Sequence, residues 1–408
     1  MRTLFVILIF TVAAGIVVAQ PVTADEAVAI ALKNNPSVQA AELFVREAKA
    51  LRATASEMGK FSVLWMSGEY NSVNKDNNIT ISQTLPLPTT MAAQARLARE
   101  NFVGAGKSLD VVRNELAYEV RLAFDDLLYL QALKRLLQRQ DSILTASAQA
   151  TASRFRAGEA TLLEKITAET QSMEAHNQLM QQESDIRIQE LRLRKLLFIE
   201  EQRPMSGQFE KLPLPAQLDT AVADQHPAVG LMRQQAIIGQ QYSRLQRNLL
   251  MPDVTVGYFN QSLIGFQNLK GQDVFFDKDK RFTGIQLGLS VPLWAGPQLA
   301  RSRAANLNAQ ALERKALQTS NEFKNRYQES LQELEKANSS LRYYESSAIA
   351  QAELIIRQAQ LAFKQGELGF NDYLLALRSA LQIQTSYLNA LNSYNKTILK
   401  IHYLNGQN

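Results

Sequence analysis

Few residues in this sequence could make or break bonds. There is no cysteine, and the only histidines are His176, His226 and His402. A zinc site gathers several nitrogen, sulfur or oxygen ligands, commonly with two of them three or four residues apart on one helix. No two of these histidines have that spacing, so His176 and His226 read as ordinary surface or loop residues. Paired carboxylates offer a second chemistry, since two acids can divide the roles of general acid and base. Glu159 with Glu164 and Glu367 with Asp372 form two such pairs. Each pair stands at the start of a helical run, however, where the helix dipole favours negative charge. The sequence thus designates no catalytic, cofactor-binding or metal-binding side chain, and the chain does not read as an enzyme.

The acids are informative for where they stand. They belong to two segments, Arg154-Phe155-Arg156-Ala157-Gly158-Glu159-Ala160-Thr161-Leu162-Leu163-Glu164 and Ala362-Phe363-Lys364-Gln365-Gly366-Glu367-Leu368-Gly369-Phe370-Asn371-Asp372, which align without a gap. In each, an aromatic and a basic residue precede Gly-Glu, and an acid stands six residues after the glycine. Glycine suits the left-handed conformation that ends a helix, so both segments are expected to be tight helix-to-helix turns.

The duplication extends over the chain, and missing it would misassign the fold. Each half opens with a short helix leading to a proline, from 24–28 to Asn35-Pro36 and from 218–222 to His226-Pro227. A second helix follows each proline. Strand-like stretches come next, at 61–70 and 79–85 and again at 253–261 and 282–291. In the last of them Ile285, Leu287, Leu289 and Val291 alternate with Gln286, Gly288 and Ser290, giving one apolar and one polar or small face. The connector 74–78 reads as a short polar turn and 262–281 as a longer loop. The expected organisation is a first repeat over 20–199, with a β-hairpin at 61–87 and a long helical hairpin at 88–199. The second repeat covers 200–408, with a β-hairpin at 252–293 and a helical hairpin at 294–404.

The helical runs are exceptionally long. Leu109, Val112, Leu116, Val120, Ala123, Leu127, Leu130, Leu133, Leu137 and Leu144 step by threes and fours, close to the 3.5-residue coiled-coil period, as do Leu374, Leu377, Leu381, Leu388, Leu391 and Ile398. At about 1.5 Å per residue, a helix from Thr89 to Phe155 would reach about 100 Å. Such arms either cross a distance or line a tube.

Residues 1–19 read as a secretory signal peptide cleaved near Ala19, with an apolar run at 4–18 after Met1-Arg2 and small residues at its end. The alternative, a membrane anchor, asks for about 20 apolar residues and is longer than this run. No other stretch is apolar enough to span a bilayer as a helix, so membrane insertion would fall to the strands. Four strands are too few to close a membrane barrel, for which about eight is the usual minimum, and an open edge in lipid leaves backbone groups unsatisfied. Several chains would have to pool them. Trp65, Tyr70, Tyr258 and Trp294 are candidates for an interfacial aromatic girdle or for packing at the strand ends. The net charge of +5 is spread among alternating acids and bases rather than gathered in a basic block, which argues against nucleic-acid binding.

The paired Gly-Glu turns, the duplicated order of elements and the strands ending in Leu85-Pro86-Leu87-Pro88 and Val291-Pro292-Leu293-Trp294 together resemble the TolC-type outer-membrane efflux family, within which the chain looks closest to the cation-efflux branch. The resemblance covers essentially the whole chain after residue 19. It implies a mainly α fold with a small β part, assembled as a homotrimer whose pooled strands make a twelve-stranded barrel set in outer-membrane lipid, continued by a helical tube. It further implies a passive duct in the outer membrane of a diderm bacterium that extends into the periplasm, no cofactor, and two partners, a periplasmic adaptor protein and an inner-membrane efflux pump. Gly158, Glu159, Gly366 and Glu367 would be adaptor-facing tips, and Glu164 and Asp372 candidate acids at the pore entrance. The rival reading is a periplasmic coiled-coil adaptor or structural protein. That class shares long hairpins but is expected to lack two equivalent amphipathic β-hairpins.

Overall fold

The computed structural model describes residues 22–71, 73–200, 203–215 and 224–406. The expected signal peptide and the short helix expected at 218–222 lie outside them. Helices dominate: α1 (Ala24–Asn34), α2 (Pro36–Leu51), α3 (Pro88–Arg156), α4 (Leu162–Leu197), α5 (Pro227–Asn248), α6 (Gly296–Tyr343), α7 (Ile349–Gln365) and α8 (Phe370–Leu404). The strands are β1 (Ser62–Gly68), β2 (Asp76–Leu85), β3 (Asp253–Ser262), β4 (Gly265–Leu269), β5 (Gln272–Phe276) and β6 (Arg281–Ser290).

Local chemistry sets the boundaries. Thr23 caps α1 in a reciprocal box with Glu26, and proline opens α2, α3 and α5, where a missing N–H costs nothing. Helix α3 runs unbroken for 69 residues, the very long arm expected from its leucine spacing. Its counterpart departs from expectation. A π-helical turn at Tyr344–Ala348 separates α6 from α7, introducing a register change that no proline or glycine signals.

By internal contacts the chain divides into two compact units, one from residues within 1–35, 116–214 and 334–399, the other from residues within 36–115, 215–333 and 400–408. In the first unit the burial is heptad-periodic. Phe370, Leu377, Gln384, Leu391 and Ile398 of α8 are all buried at seven-residue spacing, as are Ala168, Ala175, Gln182 and Gln189 of α4. That repeat makes neighbouring helices supercoil left-handedly so that one seam stays inside. The stretch 203–215 lies against the same helices. Asn395 of α8 accepts from Leu212 N at 3.0 Å and donates to Glu210 O at 2.9 Å, while Lys211 bonds Glu345 at 3.2 Å. Leu128 and Phe124 crowd the position a Cβ would take on Gly207.

In the second unit β1, β2, β3 and β6 form one antiparallel sheet in that order. The two hairpins therefore join through β2 and β3, with Ile81 opposite Tyr258 and Thr84 opposite Thr255. The expected turn at 74–78 is shorter than anticipated, since Asp76 already belongs to β2. The expected loop at 262–281 contains the β4–β5 hairpin, turned by Lys270 and Gly271, both at positive φ (53° and 88°). That pair of left-handed residues matches the twist of a tight hairpin.

Candidate functional site

Both glycine turns are built alike. Glu159 N donates to Arg154 O at 2.8 Å and Gly158 N to Phe155 O at 3.1 Å, while Glu367 N donates to Ala362 O at 2.9 Å and Gly366 N to Phe363 O at 3.2 Å. This bonding satisfies the last carbonyls of α3 and α7 and requires a left-handed residue, which Gly158 (φ 78°) and Gly366 (φ 76°) supply. The helices that leave the turns differ. Thr161 caps α4, and the Glu164 carboxylate accepts from Thr161 N at 2.6 Å and from its hydroxyl at 3.1 Å. Gly369 stands at the corresponding place before α8 and has no side chain, so Asp372 in the first turn of α8 has no equivalent reciprocal box.

The two turns meet. Arg154 lies over the Phe363 ring at 5.2 Å, and Phe363 stacks on Tyr373 at 4.4 Å. Arg154, Glu159, Phe363, Lys364, Gly366 and Tyr373 border one groove of about 650 Å³. The structure thus brings Glu159 and Gly366 to a common surface, whereas the Glu164 carboxylate is engaged by its own helix start.

The sheet is a candidate functional surface in its own right. Residues opposite one another in the register share a face. One face carries Val63 and Trp65, Ile79 and Ile81, Val254, Val256 and Tyr258, and Ile285, Leu287 and Leu289. Ile285, Leu287 and Leu289 are at least 70% exposed, and Trp65 is 69% exposed, so the chain itself does not cover this surface. The other face carries Ser62, Ser82, Thr80, Thr84, Thr255, Gly257 and Gly288, together with Leu64, Met66, Phe259 and Phe282. Strands β1 and β6 each keep one hydrogen-bonding edge without a partner strand among the described residues. Trp294, beyond β6, is 90% exposed, which leaves the strand-end packing reading without support for it.

His226 corrects the sequence reading. It is not a surface residue: it caps α5 from the preceding connection but is fully buried, stacked on Phe323 (4.2 Å) and edge-on to Tyr403 (4.9 Å). Its Nδ1 accepts from Ala228 N at 3.1 Å at the start of α5, and Nε2 lies 3.1 Å from the Asn114 amide. Burial, with the Arg326 charge adding to it, pulls the imidazole down to about 4. His176 is exposed beside Asp141, and among the described residues no group of three His, Asp or Glu could hold a metal ion. Sequence reasoning also missed Asp125, buried against Asn395 (3.1 Å) and pushed up to about 6 chiefly by that burial. Among the described residues no helix is long and apolar enough to cross a membrane.

The chain is similar to known proteins in sequence over part of its length and in fold over almost all of it. Residues 27–197 match the family model described as Outer membrane efflux protein. Over almost its whole length the chain superimposes on CusC, a structure reported for folding and transmembrane channel formation, with 14% identity, 96% of this chain and 94% of that chain covered, and a TM-score of 0.78. The outer-membrane channel OprN gives 18% identity, 94% and 90% coverage, and 0.74. The outer membrane protein VceC from Vibrio cholerae gives 17%, 94% and 96%, and 0.72. No curated protein sequence matches significantly. The fold is that of the TolC-type α/β channels. Within it, the 27–197 stretch carries the sequence signature of the outer membrane efflux proteins.

Proposed function

We propose that this chain is a subunit of an outer-membrane channel that passively conducts substrate for a tripartite efflux system, from an inner-membrane pump and a periplasmic adaptor to the outside. The observation that carries the reading is the four-stranded sheet, continuously apolar on one face, largely small or polar on the other and without a partner strand at either edge among the described residues. An open edge in lipid leaves N–H and C=O groups unsatisfied, at a cost of several kcal/mol for each group. Closing the sheet with copies of the same chain removes both edges at once, and three copies supply twelve strands. The apolar face then meets outer-membrane lipid and the small polar face lines a bore. Long helices with heptad-spaced cores suit the wall of a periplasmic duct, and the Gly158-Glu159 and Gly366-Glu367 turns serve as the surface that meets the adaptor.

The rival, a soluble periplasmic coiled-coil adaptor or structural protein, leaves Ile285, Leu287, Leu289 and Trp294 in water without explanation. Fractionation separates the two. The protein should stay with outer membranes through high-salt and alkaline washes and leave only with detergent. Release by salt alone would contradict the channel.

A further inference from the structure

The inward face of the sheet is not uniform. Reading the register from the strand ends nearest the helices in sequence, its first rows are small, polar or charged: Ser290 and Asp253, then Gly288, Thr255 and Thr84, then Gln286, Gly257, Ser82 and Ser62. The next two rows change character. One holds Gly284, Phe259, Thr80 and Leu64, the other Phe282, Gln261, Asn78 and Met66. Leu64 is 52% exposed and Met66 39% on a face that would otherwise be small, polar or charged.

The aromatic rings here are held in place. A Cβ built on Gly284 would lie 2.6 Å from Phe259 Cζ, so the Phe259 ring lies across the neighbouring strand and occupies the space the glycine leaves. Phe282 meets Phe276 of the β4–β5 hairpin edge-on, with centroids 5.4 Å apart. The base of that hairpin is fastened in turn by buried Asp76, which accepts from Ser262 Oγ at 2.8 Å and from Ile264 N at 2.9 Å. Neither row contains a charged residue.

From this we infer that Leu64, Met66, Phe259 and Phe282 form an apolar collar inside the bore that contacts passing amphiphilic organic molecules, so that the cargo of this duct is organic and partly apolar rather than a bare hydrated ion. The inference rests on the channel reading. Aromatic faces and an adaptable methionine offer dispersion and stacking to an apolar or cationic organic group, and nothing to a strongly hydrated ion.

Two monovalent cations of like charge and unlike surface test it, tetraphenylphosphonium and tetramethylammonium, applied to the detergent-purified protein in planar bilayers from the side of the β4–β5 hairpin. Tetraphenylphosphonium should interrupt the current at concentrations where tetramethylammonium has no effect. Replacing both rings, Phe259→Ser with Phe282→Ser, should raise the blocking concentration about tenfold, the loss of roughly one aromatic contact. Leu64→Ser with Met66→Thr, which leaves the ring over Gly284 intact, should raise it in the same direction and serves if the first pair fails to assemble. Equal block by both cations, or block unaltered in an assembled variant, overturns the collar. Absence of any current from the wild-type protein overturns the channel reading itself.

Discussion

Gln189 of α4 donates its side-chain amide to the backbone carbonyl of Ala123 in α3 at 2.8 Å, and one heptad earlier Gln182 does the same to Leu130. Both glutamines are buried, continuing the positions of Ala168 and Ala175. A polar group inside a helical seam is stable only in the register that satisfies it, so these two bonds fix how α3 and α4 slide against one another. Gln189→Ala and Gln182→Ala should each lower stability by about 1–2 kcal/mol, and together by roughly the sum, since the sites share no partner. Thermal unfolding of the purified assembly measures this. No change in either variant would mean the bonds do not hold the register.

Two buried ionisable groups should respond to acid with opposite sign. Asp125 binds its proton more tightly in the folded chain, because burial, reinforced by the Asp126 charge against the Asn395 hydrogen bond, raises its carboxyl from the usual 3.8 to about 6. The stability it contributes is present below 3.8 and lost as pH rises through about 6. Relative to Asp125→Asn, the wild type should gain about 2–3 kcal/mol between roughly pH 7.5 and pH 4. His226 is shifted the other way, from 6.5 down to about 4. Its contribution is present above 6.5 and lost as pH falls through 4, so relative to His226→Asn, which keeps a capping side chain, the wild type should lose about 3 kcal/mol over the lower part of that range. Denaturant unfolding of the four proteins at several pH values reads both slopes.

At the tips, Gly158→Val and Gly366→Val each force a branched residue to φ near +77°, at a cost of about 1–2 kcal/mol confined to the turn. Efflux and crosslinking to the adaptor should fall while the protein still reaches the outer membrane. Full efflux and unaltered crosslinking in both variants would remove the tips from the adaptor surface.

The acids beside the tips divide by partner. Glu164 is held in the Thr161 capping box, whereas Gly369 gives Asp372 no such box. If Asp372 faces a shared bore, copies from several subunits form a ring of carboxylates that attracts cations. Asp372→Asn should then reduce cation preference and divalent-ion block in single-channel recordings, and Glu164→Gln should do so less. Unaltered selectivity in both would leave the two acids as helix-start residues.

What the sequence made legible had local causes. Gly158 and Gly366 announce themselves because a left-handed helix end admits few other residues, and the alternation through Ile285, Leu287 and Leu289 because a strand's two faces repeat every second residue. The parts that were missed depend on distant partners or leave no mark. Burial of His226 is decided by Phe323 and Tyr403, far along the chain. Asn395 fastens 203–215 by backbone groups that any sequence would offer. The π-turn at Tyr344–Ala348 adds a residue without a breaker, and the β4–β5 hairpin turns on Lys270, an uncommon choice for a left-handed position.

The central claim is that strands from several copies close one barrel, and the direct measurement is the mass of the detergent-extracted protein in mild detergent, taken together with its conductance in planar bilayers. The account predicts a particle of three chains that conducts, with no conductance from single chains. A stable monomer that conducts ions on its own would contradict it.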